Sequence, residues 1–401
     1  MDRDILHIDA NNFYASCECA VNPKIKNLPV VVGGSSEERK GVVIAKNYIA
    51  KSKGIDVGMT IHEASKICPN LVSIRPNFKL YNEFSKKLRD IYLSFTDEVE
   101  PFSIDECWLD VTHSKVFGSP KEIADKIRER VKNELNLTVS VGVSFNKLFA
   151  KLASDLKKPD FTTEITRENY KEIVWKLPIT SMVGVGKKIL VKLEKMGIET
   201  IGDLAKSDQN FMAKKFGKIG YELCEFARGN DKRKVEEYEK ILPPKSLGNS
   251  TTFYRDLNNI DEIKLGFTIL AETVVERMMQ YGVKKAQIMS IKIKNSNFES
   301  FRKQMRFDFP CRSSNIIIKN AMKLYRENFS HIKDIRKLGI SVSQLIYHDQ
   351  IDLFNNLKGD IDETVVNLRK KYGYDIIRKG NCFIDKKIAD SFKNRESIRK
   401  K

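Results

Sequence analysis

Pro101-Phe102-Ser103-Ile104-Asp105-Glu106-Cys107-Trp108-Leu109-Asp110 is the stretch on which the fold turns. Two apolar, strand-like runs, around Phe102 and around Leu109, enclose the adjacent carboxylates Asp105 and Glu106. Far upstream another apolar strand, Ile5-Leu6-His7-Ile8, ends directly in Asp9. Around these runs the pattern predicts a helix from Phe13, short strands at Val30-Val31-Val32 and Val42-Val43-Ile44, and a helix near Leu80 to Phe95. It then predicts a helix from Pro120 to Leu135, a strand at Val139 to Val143 and a helix at Asn146 to Leu156. That order is βαββαβ with an insertion after the first helix, a split-βαβ layout. In such a sheet the end of the first strand and the later hairpin are neighbours, so Asp9, Asp105 and Glu106 are expected at one edge.

Oxygen-only ligation by three carboxylates favours Mg²⁺ or Mn²⁺. Two such ions roughly 4 Å apart can activate an attacking hydroxyl and stabilise a leaving pyrophosphate, as nucleotidyl transfer requires. The competing reading makes Asp105-Glu106 a polar turn and Asp9 a helix N-cap for the segment near Asn12.

Charge is unevenly spread. The chain of 401 residues has a formal charge of +18, yet residues 1–170 carry 25 basic against 24 acidic side chains, while residues 171–401 carry 46 against 29. A polyanionic partner follows, because phosphate backbones are held largely by Lys and Arg; the plainer alternative is a solvated basic surface. With 41% hydrophobic and 31% charged residues the composition is globular, enough for two to four domains, which excludes collagen-like, disulfide-scaffold and wholly disordered chains. No apolar run approaches the roughly 20 residues of a membrane span, and Met1-Asp2-Arg3-Asp4 leads straight into a strand without a signal-peptide pattern, so a cytoplasmic location is expected. Seven cysteines without a CxxC pair suggest reduced thiols rather than a zinc site or a disulfide framework.

Further along, Pro178, the turn Gly184-Val185-Gly186, a helix Lys187 to Met196, Gly197 as its cap and a helix after Gly202 read as a small helical module. Residues 230–246 are charged and end in paired prolines, as an interdomain tether would. Beyond it comes a second βαββαβ: a strand Ser246 to Phe253, a helix Asp261 to Tyr281, strands Ala286 to Lys294 and Ser300 to Phe307, a helix Ser314 to Phe329 and a strand Arg336 to Ile346. The basic stretch from about Lys387 has little apolar periodicity and is expected to be mobile.

These residues match a known family. Asp9-Ala10-Asn11-Asn12-Phe13-Tyr14-Ala15-Ser16-Cys17-Glu18, Asn47-Tyr48, Ser103-Ile104-Asp105-Glu106, Gly142-Val143-Ser144-Phe145-Asn146-Lys147, Lys158-Pro159, the Gly184 to Ala205 module and Ala227-Arg228-Gly229 resemble the Y-family translesion DNA polymerases, the bacterial polymerase IV and V group, over most of the chain. The resemblance implies a mixed α/β, multidomain right-hand fold. Its split-βαβ palm would span residues 1–19 and 76–170, small fingers 20–75, a helix-hairpin-helix thumb 171–230 and a linker 231–244, followed by a βαββαβ little finger 245–348 and a tail 349–401. It implies low-fidelity, template-directed synthesis past damaged DNA, with primer-template DNA and dNTP as substrates, two Mg²⁺ (or Mn²⁺) per site, and a monomer.

The same resemblance assigns roles. Asp9, Asp105, Glu106 and the Ala10 carbonyl would hold the metals. Tyr14, beside Phe13, would lie under the incoming sugar as a steric gate, with a core aromatic as its competing role. Tyr48, Lys51 and Lys158 would meet the triphosphate; many relatives have Arg at the position of Lys51 and a second acidic residue at that of Asn11, and a lysine lacks the bidentate fork. Asn11 and the Tyr48-Ile49-Ala50-Lys51 run look somewhat nearer the polymerase V group, yet no segment demands an accessory subunit, and the sequence leaves the choice between the two groups open. The amides of Gly184, Val185 and Gly186 before the Lys187 helix would bind phosphate. Lys292, Lys294, Arg302 and Arg306 on the little-finger strands would track the DNA backbone, although strand lysines also discourage edge pairing. Gln350-Ile351-Asp352-Leu353-Phe354 is similar to the bacterial sliding-clamp-binding pentapeptide, through Gln350, Leu353 and Phe354. A nucleotide cyclase sharing a palm-like sheet would need no duplex grip, and a DNA-binding scaffold with a dead site would not need the three carboxylates.

Overall fold

The computed structural model describes residues 3–34, 41–238, 243–348 and 361–390. The chain forms two compact units, one drawn mainly from residues up to Ile241 and the other from Leu242 onward.

In the first unit β1 (Ile5–Ala10) is followed by a helix, Phe13–Val21. Three short strands, β2 (Val30–Gly33), β3 (Val43–Lys46) and β4 (Val72–Ile74), then make a small sheet in the order β3-β2-β4. Asn47 ties that sheet to the helix after it: its side-chain oxygen accepts from Val30 N and Ala50 N, and its amide donates to Leu28 O. The main sheet adds β5 (Val99–Pro101), β6 (Glu106–Asp110), β7 (Val139–Ser144) and β8 (Thr162–Ile165), in the order β5-β6-β1-β7-β8. β1 therefore sits in the middle, antiparallel to both β6 and β7.

The pleat decides which side chains do what. Leu6 and Ile8 point into a core shared with Tyr81, Leu88 and Ile91 of the Phe78–Leu93 helix and Ile123, Ile127 and Val131 of the Pro120–Leu135 helix. That second helix begins where the sequence reading puts it, because Ser119 and Glu122 close a reciprocal capping box around Pro120. Asp9 and its β6 partner Glu106 occupy the opposite face, under the Lys147–Leu156 helix.

Three sequence expectations shift. The strand placed around Phe102 is Val99–Pro101, and residues 102–105 form a bend, so Glu106 is the first residue of a strand rather than part of the turn. β8, parallel to β7, was not foreseen. In the helical module, the Lys187 helix ends at Glu194 with Gly197 left-handed just beyond (φ 73°), and the next helix starts at Ile201, where Thr200 caps it with Asp203. Two further helices, Gln209–Phe216 and Lys218–Ala227, complete the module.

The second unit has β9 (Ser246–Leu257), β10 (Lys285–Asn295), β11 (Ser300–Cys311) and β12 (Ile335–Ile346) in the antiparallel order β11-β10-β12-β9. The Ile260–Gln280 and Ser314–Phe329 helices cover one face through Phe267, Leu270, Val274, Ile317 and Leu324, against Met289, Ile291 and Ile293.

The largest departure lies after β12. Residues 361–390, expected to be tail, carry helices Ile361–Tyr372 and Lys386–Ala389, with Cys382, Ile388 and Ala389 in the core of the second unit. Arg369 meets Glu272 at 3.0 Å with both side chains nearly buried, and Asp385 accepts from Arg255 at 2.9 Å and Tyr254 at 2.8 Å. Asp362 caps the Ser314 helix, accepting from Ser314 N at 2.7 Å and Oγ at 2.6 Å. Asp362→Ala is expected to lower the stability of this unit by about 1 kcal/mol, read as a lower urea midpoint at unchanged m-value.

Candidate active site

Asp9 ends β1 directly opposite Glu106 on β6 and Ser140 on β7. The Ala10 amide donates to the Asp105 carbonyl at 3.1 Å, which holds the 102–105 bend against the end of β1. The Ser103 hydroxyl donates to the Asp105 carboxylate and accepts from Glu106 N at 3.1 Å. The three carboxylates thus lie at one end of the sheet.

Lysines balance them. Lys158 Nζ lies 2.8 Å from Asp9 and 2.8 Å from Asp155, and Lys151 Nζ lies 2.8 Å from Glu106. Burial pushes the Asp9 carboxyl up to about 6, with Lys158 opposing and Glu106 adding to the rise. Burial likewise raises Asp105, helped by the Asp9 charge. Burial works against the Lys158 charge, but Asp9 and Asp155 outweigh it and hold its pKa above the usual lysine value.

Among the described residues no three His, Cys, Asp or Glu side chains already converge as a ligand set. The donor chemistry nevertheless fits a hard cation: partly buried carboxylates, a backbone carbonyl at Ala10, and more negative charge than burial tolerates. The histidine and cysteine adjacent in sequence are otherwise engaged. Cys107 alternates to the opposite, core face, and His7 bonds through Nδ1 to Ser154 Oγ at 2.8 Å, its pKa pushed down by burial and by Lys151 and Lys158.

Tyr14 lies on the first turn of the Phe13–Val21 helix in an aromatic cluster. Its ring stacks on Tyr81 at 4.4 Å and 19°, with Phe78 edge-on at 6.0 Å and Phe13 at 5.8 Å. Tyr81 donates its hydroxyl to Glu18 at 2.6 Å, which fixes the ring that Tyr14 rests on. Burial raises the Tyr14 pKa, and Asp105 is close enough to add to the shift. Tyr48 opens the helix capped by Asn47; burial raises its pKa, with Lys158 opposing and Asp9 adding, which ties it electrostatically to the same site. Lys51 is exposed, 5.8 Å from the Tyr48 ring.

Asn11 is buried and structural. Its side chain donates to Ser140 Oγ at 2.9 Å and accepts from Asp160 N at 3.0 Å, so it anchors the segment that carries Lys158.

Sequence reasoning missed Lys151, Asp155, Phe78 and Tyr81. A signal existed for Lys151: Lys147, Lys151 and Asp155 recur at four-residue spacing and share one helix face. Lys147 itself is a strut, 2.6 Å from Glu100 and 4.5 Å from the centre of the Trp108 ring.

The remaining predicted residues lie elsewhere. Gly184 is left-handed (φ 97°) and Gly186 precedes the Lys187 helix on an exposed turn, but the Val185 amide is already taken by Met182 O at 3.1 Å, so Val185 is removed from the expected phosphate-binding set. In the second unit Lys292 stands opposite Arg302 and Lys294 opposite Lys337, while Arg306, opposite Ile288, donates to Gln287 at 2.8 Å. Gln350, Leu353 and Phe354 lie outside the described residues. No helix among those described is long and apolar enough to cross a membrane, and all seven cysteines are free.

The impB/mucB/samB family model matches residues 8–155, its C-terminal domain model residues 244–353, and a model described as DNA polymerase-iota, thumb domain, residues 180–231. DNA polymerase IV of Acetivibrio thermocellus is 42% identical over 395 residues, covering 96% of this chain and 99% of its own. DNA polymerase IV 1 of Bacillus subtilis is 36% identical over 386 residues, covering 94% of this chain and 92% of its own. A solved Y-family DNA polymerase chimera superposes with a TM-score of 0.77 at 24% identity, over 86% of this chain and 100% of that one, which shows the same fold. The choice between the polymerase IV and V groups, which the sequence leaves open at Asn11 and residues 48–51, falls to relatives named polymerase IV. With nearly full-length similarity on both sides, the chain belongs to the Y family of translesion DNA polymerases, in the DNA polymerase IV group, a family of DNA-directed DNA polymerases.

Proposed function

We propose that this chain is a template-directed, low-fidelity DNA polymerase that copies past lesions by nucleotidyl transfer from dNTP to a primer 3′-hydroxyl. The observation that carries this reading is the meeting of Asp9, Asp105 and Glu106 at one sheet end beside Lys158 and the Tyr14–Tyr81 stack. Two divalent cations, Mg²⁺ or Mn²⁺, held by Asp9, Asp105, Glu106 and the Ala10 carbonyl, would supply the positive charge that lowers the barrier to attack and to departure of pyrophosphate. Lys158 moves from Asp9 onto the triphosphate, and the Tyr48 hydroxyl and Lys51 bind its remaining oxygens. Gly184, Gly186 and Lys187 of the exposed turn and the strand cations Lys292, Lys294, Arg302 and Arg306 bind the duplex through phosphates, without base specificity. The enzyme works as a cytoplasmic monomer, with Gln350, Leu353 and Phe354 as its contact to a sliding clamp.

The test is Mg²⁺-dependent primer extension on an undamaged template and on one containing an abasic site. Insertion on both supports the reading; DNA binding by an ordered protein without extension on either favours the scaffold. Tyr14 supplies a second check. Its ring stacks on Tyr81, a contact that favours its present orientation over one that makes room for a ribose 2′-hydroxyl. Tyr14→Ala is expected to raise ribonucleotide relative to deoxyribonucleotide incorporation at least tenfold, about 1.4 kcal/mol of lost discrimination; unchanged selectivity would remove Tyr14 from that role.

A further inference from the structure

Phe298 stands at the tip of the β10–β11 hairpin in a conformation that does not suit it. Its φ is 64°, the left-handed region where glycine or asparagine is comfortable and a bulky side chain is strained. The loop around it is tightly built. Phe298 N donates to Asn295 O at 3.1 Å and Asn295 N to Glu299 O at 3.2 Å, and the Asn295 side chain both donates to Glu299 at 2.7 Å and accepts from its amide at 2.9 Å. Ser296 N donates to Asp334 O at 2.9 Å, which pins the tip to the start of β12. A rigid turn of this type calls for glycine at the position of Phe298. The core does not claim the ring either, since Phe298 is 61% exposed.

Cations surround it. Lys294 Nζ lies 4.5 Å and Arg336 Cζ 5.1 Å from the ring centre. Lys337 stands opposite Lys294 on the ladder, and Lys292 opposite Arg302 two rungs further along. The carboxylates of the same loops are Glu299, engaged by Asn295, and Asp334. An exposed aromatic ring set among basic groups is how sequence-tolerant sites take single strands, with phosphates on the cations and a base on the ring. Paired bases within a duplex offer no free face.

We infer that the β10–β11 tip is a binding site for an unpaired DNA base of the template strand, which stacks on Phe298 while Lys294, Arg336 and Lys337 hold its flanking phosphates. The inference rests on the polymerase reading above and adds a single-strand subsite to it.

The test compares the full chain with Phe298→Gly and Phe298→Tyr for affinity to three DNAs: a primer–template with a single-stranded 5′ template overhang, the same DNA with abasic residues throughout the overhang, and a blunt duplex. Phe298→Gly should weaken binding to the overhang DNA about 5- to 20-fold, leave the blunt duplex unaffected, and match wild type on the abasic overhang. Phe298→Tyr should retain wild-type affinity. Glycine suits the turn, so the melting temperature should hold or rise. Equal affinities of wild type and Phe298→Gly for the overhang DNA, or an equal loss on overhang and blunt DNA, overturns the stacking site alone. Failure of the wild type to bind any of the three DNAs overturns the polymerase reading, and this site with it.

Discussion

Asp105→Ala is expected to lose primer extension by about a thousandfold or more while keeping its DNA affinity and its melting curve. The side chain stands in the bend before β6, bonded to Ser103 and to nothing that holds the sheet together. The contact that docks the bend onto β1 runs from the Ala10 amide to the Asp105 carbonyl, and a methyl side chain leaves it intact. Burial already pushes the Asp105 pKa up, so removing the carboxylate relieves a desolvated charge instead of breaking a stabilising pair. The proposed binding of a divalent ion is what should fall, with the fold intact. Single-nucleotide incorporation, DNA-binding anisotropy and thermal melting, measured on one preparation, separate the two. Parallel loss of affinity and extension would mean that the side chain is structural.

Gly142→Ala is expected to have the opposite signature, destabilising the first unit by roughly 3 kcal/mol or more and lowering its melting temperature by about 6–12 °C. Gly142 lies in β7 opposite His7, on the face covered by the Lys147–Leu156 helix. A Cβ there would stand 1.9 Å from Ala150 O, 2.5 Å from Ser154 N and 2.8 Å from Ala153 Cβ. Two of those atoms are helix backbone and cannot rotate away, so the helix must lift. The same helix carries Lys151 and Asp155, partners of Glu106 and Lys158, so residual folded protein should also lose activity. A melting temperature within a degree or two of wild type would show that the helix can shift at little cost.

Much of this molecule is legible one segment at a time. The Pro120–Leu135 and Ser314–Phe329 helices begin and end where periodicity and local signals place them. Asp9 at the end of an apolar strand, with Asp105 and Glu106 beside a second, points to the shared sheet end from sequence alone. The helix Ile361–Tyr372 was missed although local signals were present, with Ile361, Val365, Leu368 and Tyr372 at helical spacing, Asp362 and Glu363 in its first turn and Arg369, Lys370 and Lys371 in its last; what the sequence does not show is its docking through Arg369 onto Glu272 and through Asp362 onto Ser314. Val185 was misjudged because its amide's partner, Met182 O, is set by how the turn closes.

The sequence by itself determined most of the elements of the two βαββαβ runs, their order and the chemical kind of the proposed site, because capping, pleat and hydrophobic period act within a turn or two of chain. Only the tertiary structure decided which cations balance the carboxylates, what holds Tyr14 in place and why Gly142 has no side chain. Those answers join Lys151 to Glu106 across 45 residues and Asn11 to Asp160 across 149. Such contacts depend on how packed surfaces meet, and no local preference of either partner specifies the other.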